Sequence, residues 1–245
     1  YNQLAWFTGL DEYVSIADQS YYSFGDGSND SPFSVSAWIF MNEATKFRII
    51  GKCAFDGSSK MEWAFLTDGD DDLRLVLYDG TTSNYISQKS NNTLSAGQWY
   101  QVAATYDATE ANSGITLYVN GAEIASTGTN TGSYTALHST DATVEIGRLR
   151  YSGSTTDYSE GCVTEVSIWN KELSRAEVQE LYNDGEALDA TLHSASPSTG
   201  TDNLVGYWRN MGVRTWTGLS TNSNNGTPAS LVETLMLPEG HNGRD

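Results

Sequence analysis

Apolar and polar residues alternate with a period of two through much of this chain, and that pattern predicts strands. In SPFSVSAWIF, residues 31–40, Phe33, Val35, Ala37 and Ile39 share one face. Trp38 and Phe40 take the other, so both sides of this strand are expected to be covered. Residues 61–67 place Met61, Trp63 and Phe65 together, and residues 73–78 set Leu73, Leu75 and Leu77 against Arg74, Val76 and Tyr78. Further strands are predicted at 47–50, 99–106, 144–147 and 163–169, and FTGLDEYVSI at 7–16 reads as a strand pair with a turn at Gly9-Leu10. GITLYVNGAEIAS at 114–126 is a hairpin around Asn120-Gly121, because that dipeptide suits a turn with positive φ. The period changes once. Ser174 and Glu177 form a capping box, Leu173 and Val178 stand where a hydrophobic staple lies, and Gly185 suits a stop, so a helix is predicted over 175–182. Many strands and one short helix give an all-β fold, an antiparallel two-sheet sandwich.

The pattern weakens after Gly185. Residues 194–203 are rich in Ser, Thr and Gly, LVGYW at 204–208 supplies one more strand, and 231–237 is apolar. The expected organisation is a domain over 1–188 and a C-terminal extension over 189–245, packed on the sandwich or leading to another module.

Charge narrows the partners. The 245 residues carry a formal net charge of −18, with only 13 Lys and Arg, and these are scattered. Nucleic acid and anionic membrane surfaces need clustered cations, so neither is expected as a partner. No run of eighteen apolar residues occurs, which argues against a membrane-spanning helix. The sequence starts at Tyr1, so the lack of a visible leader says nothing about compartment. Cys53 and Cys162 are either a disulfide across a long loop or two separate buried thiols.

Six segments in order resemble the laminin G-like, pentraxin-like branch of the concanavalin A-like jelly rolls. They are FTGLDEYVSI at Phe7, SPFSVSAWIF at Ser31, GQWYQVAATYD at Gly97, ITLYVNGAEIAS at Ile115, VEIGR at Val144 and the strand-helix unit from Glu160. GYW at Gly206 and NNGT at Asn224 are similar to extensions in bacterial and marine phage proteins. The resemblance implies a concanavalin A-like jelly roll whose rim loops hold Ca²⁺ and a glycan or protein ligand. It departs from pentraxins at Ser36 and Ala103, which stand where that group pairs two cysteines. Arg148, Leu149, Arg150 and Tyr151 replace its acidic calcium run, Asp56 matches only one limb of the double-calcium site, and Thr164 stands where many relatives carry Asp.

Candidate chemistry is sparse. Asp26, Asn29 and Asp30 offer hard oxygen donors in a glycine-rich loop, which suits either one Ca²⁺ or a plain Asx turn. Asp68, Asp70 and Asp72 open like an EF-hand loop, but Leu73 and Asp79 stand where Gly and Glu are needed, so a solvated turn is expected. No Glu-x-Asp occurs, and Glu165 reads as a lone solvent-facing carboxylate, which counts against a glycoside hydrolase. His138, His193 and His241 are isolated and expected in solvent. Tyrosines in polar loops suit sugar recognition: Tyr151, Asp157 and Tyr158 in one, Asn84 and Tyr85 in another, and Tyr134 in a third. Trp38, Trp99 and Trp169 are assigned to the core.

Together these features point to a non-catalytic glycan-binding or adhesion module. From the resemblance, its setting is extracellular or a virion surface: a fibre, a capsid decoration or a secreted surface protein. Its partners would be a glycan or a neighbouring surface protein. A structural virion or assembly subunit that binds protein and no sugar is the alternative, and a glycoside hydrolase the weaker one.

Overall fold

The computed structural model describes residues 4–55, 59–152, 155–196 and 203–234. Asp56 and His241 lie outside them. The strands are β1 (Leu4–Thr8), β2 (Tyr13–Ile16), β3 (Phe33–Met41), β4 (Arg48–Phe55), β5 (Ser59–Thr67), β6 (Asp72–Gly80), β7 (Tyr85–Thr93), β8 (Trp99–Tyr106), β9 (Ile115–Val119), β10 (Ala122–Glu123), β11 (Ser126–Thr131), β12 (Val144–Ile146), β13 (Arg148–Ser152), β14 (Thr155–Tyr158), β15 (Glu160–Trp169), β16 (Leu204–Trp208), β17 (Gly226–Ala229) and β18 (Val232–Thr234). The helix is α1 (Arg175–Tyr182).

Two antiparallel eight-stranded sheets face each other. The first runs β10-β9-β8-β3-β15-β1-β18, with β16 also on β15; the second runs β11-β7-β6-β5-β4-β12-β2-β17. Inward side chains of both sheets make one core, including Phe7, Val35, Ile39, Trp63, Phe65, Leu75, Val102, Ile146, Ile168, Trp208 and Trp216. Burial of these apolar faces is what drives the two sheets together. The stretch from 203 to 234 contributes strands to both: β16 pairs with β15, β17 with β2 and β18 with β1. Ser36 and Ala103 are partners in the β3–β8 ladder, side by side where the sequence resemblance aligned the pentraxin cysteines.

Residues 7–16 are not a paired hairpin. β1 belongs to the first sheet and β2 to the second. The corner between them is tied by Glu12, whose carboxylate accepts hydrogen bonds from the N–H groups of Thr8, Leu10 and Asp11 and from the Thr8 hydroxyl. The sequence contained the turn, but nothing local distinguishes a reversal within a sheet from a crossing between sheets.

Met61 also departs from the alternation. The β5 ladder shifts register between Met61 and Trp63, so Met61 joins the outer cluster with Ala64 and Leu66 while Trp63 and Phe65 stay in the core. The Asn120-Gly121 turn has φ values of 50° and 71°, as the hairpin reading requires.

The helix forms as its sequence demands. Ser174 and Glu177 cap each other reciprocally, and Leu173 and Val178 are buried together on the outer face of the first sheet with Trp169, Leu181 and Tyr207. The left-handed stop is taken by Asn183, with φ of 47°, two residues before Gly185. Trp169 is fully buried, whereas Trp38 and Trp99 are only half-buried on this outer face. Trp38 stacks on Tyr182 at 6.0 Å, and Trp99 lies against Phe40 at 5.7 Å.

Several polar residues expected in solvent are internal. His193 is 1% exposed; its Nε2 lies 2.8 Å from the Glu177 carbonyl, its Nδ1 accepts from Ala195 N–H, and its ring packs on Trp169. Glu165 accepts from Tyr207 and Arg209, and Arg209 also reaches Asp189. His138 is exposed, as expected. Cys53 and Cys162 are both free and buried, one in each sheet, and burial raises both thiols above their ordinary range. Among the described residues no helix is long and apolar enough to cross a membrane.

Candidate functional site

The outer face of the second sheet is partly roofed. After β12 the chain turns at Gly147 and forms the β13–β14 hairpin, which folds onto that face and buries Leu149 against Cys53, Met61, Ala64, Leu66, Val76 and Tyr78. Beside the hairpin a groove of about 300 Å³ runs along β6. Its floor is Leu66, Val76 and Tyr78; Tyr151 of β13 and Tyr85 at the start of β7 stand at its sides; Lys46, Arg48 and Arg74 supply the charge. From residue 74 to 78, β6 alone gives it a length of roughly 13 Å.

The two arginines are held in place. Arg48 is 4% exposed; its guanidinium donates to Asp157 at 2.5 Å and to the Thr67 carbonyl at 3.2 Å, and lies 5.4 Å from the centre of the Tyr151 ring. Arg74 donates to Ser87 Oγ at 2.9 Å and lies 5.4 Å from the centre of the Tyr85 ring. Each arginine–tyrosine pair is favourable by about 0.5–2 kcal/mol. Burial pushes the Tyr78 and Tyr151 phenols up, while hydrogen bonds to Thr131 and Arg74 pull the Tyr85 phenol down. The groove therefore offers tyrosine rings and forked cationic donors on a rigid floor, a combination suited to a polar ring-shaped ligand.

The sequence-derived residues divide. Tyr151 and Tyr85 line the groove, and Asp157 stands behind it as the partner of Arg48 and, at 3.8 Å, of Lys46. Asn84 orders the turn after β6, donating to Asp79 and accepting from Ser133 N–H. Tyr158 pairs with Arg148 in the β13–β14 ladder and is not part of the lining. Tyr134 is half-buried, donating to Asp30. Arg48, Arg74, Lys46 and Tyr78 were missed. Their signal was present: Arg48 interrupts the apolar run from Phe47 to Ile50, and Arg74 opens the outward face of an otherwise apolar strand.

The residues that could hold the calcium implied by the family resemblance are partly engaged by other groups. Asp26 Oδ1 accepts from Ser28 and Asn29 N–H at 2.8 Å each, an Asx turn, and those bonds hold its carboxyl below the usual range. The Asn29 backbone carbonyl accepts from Asp26 N–H. Asp30 faces inward, accepting from Tyr106, Tyr134 and Leu137 N–H, with burial raising its carboxyl. Asp68, Asp70 and Asp72 do lie within 4.8 Å of one another, close enough to share a cation. The cation they share is the Lys89 ammonium, at 3.5, 3.1 and 3.0 Å. Those bonds, led by Asp72 and Asp70, raise the lysine above its ordinary value. The basic stretch of β13 is likewise spent internally, with Arg148 and Arg150 both on Glu145.

Comparisons with known proteins agree with this architecture. A structure from Bacteroides ovatus ATCC 8483, named as a candidate carbohydrate binding protein, is 17% identical, with a TM-score of 0.60 over 96% of this chain. This chain spans 60% of that protein's length. The heptameric SAP-like pentraxin of Limulus polyphemus is 17% identical over 87% of this chain and 97% of its own, with a TM-score of 0.47. A Trypanosoma rangeli sialidase is 21% identical over 65% of this chain and 24% of its own, with a TM-score of 0.45. No curated protein matches the sequence. A laminin G family model matches residues 8–179, most of the chain, and the chain therefore belongs to the concanavalin A-like lectin/glucanases superfamily.

Proposed function

We propose that this protein is a non-catalytic glycan-binding module, with the sugar seated in the groove along β6. The observation that carries the reading is the groove itself: three tyrosines and three cationic side chains converge on the outer face of the second sheet, beside a hairpin that roofs only part of it. Tyr85 and Tyr151 would stack on sugar faces, and Arg48, Arg74 and Lys46 would bond hydroxyls or charged substituents. The superfamily includes both lectins and glucanases, so fold alone does not choose between them. The lining favours binding. Glycoside hydrolysis needs two carboxyl groups across one cleft, and among the described residues the only carboxylate in the lining is Asp68, which is engaged by Lys89. A module of this kind suits an extracellular or virion surface, with a glycan-bearing partner.

A glycan array tests the reading, run with the wild type, Tyr85→Ala and Tyr151→Ala, alongside a reducing-sugar assay on the glycans that bind. Selective binding lost in both variants, with no sugar released, is the expected result. Binding that survives both substitutions would place the ligand elsewhere. Release of reducing sugar would restore the enzyme reading, and a blank array would favour a subunit that contacts only protein.

A further inference from the structure

We propose that the groove is built for an acidic saccharide, one carrying a carboxylate or sulfate, gripped by Arg48 and Arg74. This inference rests on the glycan-binding reading and adds the ligand's chemical class. The first argument is charge contrast. The chain has 31 acidic and 13 basic residues, yet the groove is lined by three cations and one carboxylate. That carboxylate, Asp68, lies 3.5 Å from Lys89, which it shares with Asp70 and Asp72, and Asp157, which pairs with Arg48 and Lys46, stands behind the lining. The cations thus face the groove while most of their paired carboxylates stand outside its lining, so an anion that fits the groove meets donors first.

The second argument is unspent donor capacity. Arg48 is almost wholly buried and Arg74 half-buried, and the Nε–H of each is buried without a hydrogen-bond partner. A buried guanidinium N–H left unpaired is costly, and a planar anion is the partner its fork matches. Lysine could not make this match, because its ammonium has no fork. The third argument is orientation. Each guanidinium lies near a tyrosine ring, Arg48 by Tyr151 and Arg74 by Tyr85, and Arg48 is also fixed by Asp157 and the Thr67 carbonyl. The donors are therefore ordered before the ligand arrives, which lowers the entropic cost of binding. Lys46, with its side chain 56% exposed, adds a charge at the edge.

Three oligosaccharides of equal length test this by calorimetry: a galacturonate, a sulfated galactan and a neutral galactan. The wild type should prefer at least one acidic form over the neutral one by about tenfold or more, with affinity falling as salt rises. Arg74→Met should erase that preference, whereas Arg74→Lys should restore only part of it. Arg214→Met removes the same charge from an exposed position outside the groove and should leave the preference intact. Arg74 is used because Arg48 is tied into a buried pair whose loss threatens folding. The two acidic arms tell carboxylate from sulfate. Equal affinity for all three oligosaccharides would overturn the acidic-ligand inference and leave the glycan-binding reading standing. The same fall in preference with Arg214→Met would reduce the effect to net charge and overturn the role of the fork. Failure of all three to bind would overturn the inference, and a blank array beside it would overturn the reading as well.

Discussion

Asn210 joins two parts of the first sheet that cannot pair directly, and its removal gives the sharpest stability test. β15 shifts register between Thr164 and Ser167, with Glu165 at φ of 49°, and its ladder with β1 runs only through Gly161 and Glu160. Asn210, 5% exposed, fills the gap. Its Oδ1 accepts from Ala5 N–H at 2.7 Å, and its Nδ2 donates to the carbonyls of Ala5 at 2.9 Å and Val163 at 3.1 Å. Asn210→Ala leaves four buried backbone groups without that partner, the Gly212 N–H being the fourth. At the low end of about 1 kcal/mol for each unsatisfied group, the loss is about 4 kcal/mol. For a chain of this size that lowers Tm by roughly 8–16 °C. Urea denaturation should show the midpoint falling with an unchanged slope. Asn210→Asp is the discriminating companion. At neutral pH it sets a carboxylate oxygen against the Ala5 and Val163 carbonyls and should cost at least as much. Those carbonyls disfavour the charged form, so the introduced carboxyl has a raised folded pKa. Its deficit relative to wild type should shrink as pH falls through that value and a donor is regained. A loss under about 0.5 kcal/mol for Asn210→Ala, within the range of ordinary surface changes, would refute the reasoning. So would an Asn210→Asp deficit that does not depend on pH.

Two further predictions follow from named groups. Lys89→Met removes the ammonium from Asp68, Asp70 and Asp72; the variant should gain a Ca²⁺-dependent rise in Tm that the wild type lacks, and a wild type that loses Tm in chelator would contradict the assignment of that cage to lysine. Burial pushes the Glu12 carboxyl up, but hydrogen bonds from Thr8 and from the Glu12 and Leu10 N–H groups outweigh it and hold it below its ordinary value near 4.5. Its stabilisation is therefore present above that value and lost as pH falls through the lowered one, so Glu12→Gln should flatten the acid limb of the stability–pH curve. An unchanged acid limb would show that the β1–β2 corner does not depend on the ionised carboxylate.

Much of the fold was legible because alternation and capping are local. The Ser31–Phe40 face pattern, the Asn120-Gly121 turn and the Ser174 cap each declare themselves within a few residues. What was not legible was set by distant contacts. β7 carries Ser87, Gln88, Ser90 and Asn91 and shows no apolar stripe beyond Ile86, yet it completes the second sheet between β6 and β11. The polar β11 is similar, an edge strand recognisable only by its partner. Half of the site was visible, since polar tyrosine loops marked Tyr85 and Tyr151. The floor was not, because Arg48, Arg74 and Tyr78 become neighbours only when the strands align. The acidic residues were the least legible: Asp26 and Asp30 have ligand-like spacing, yet Asp26 Oδ1 accepts from two backbone N–H groups and Asp30 from two tyrosine hydroxyls and Leu137 N–H.

The most direct measurement of the central claim is mapping the bound glycan by backbone and side-chain chemical shifts. With the tightest-binding array glycan titrated in, the largest changes should fall on Arg74, Val76 and Tyr78 of β6, on Tyr85, and on Arg48 and Tyr151. The rim loop from Gly25 to Asp30 should stay silent. Changes concentrated on that rim, or on the outer face of the first sheet around Trp38 and Trp99, would contradict the assignment of the groove.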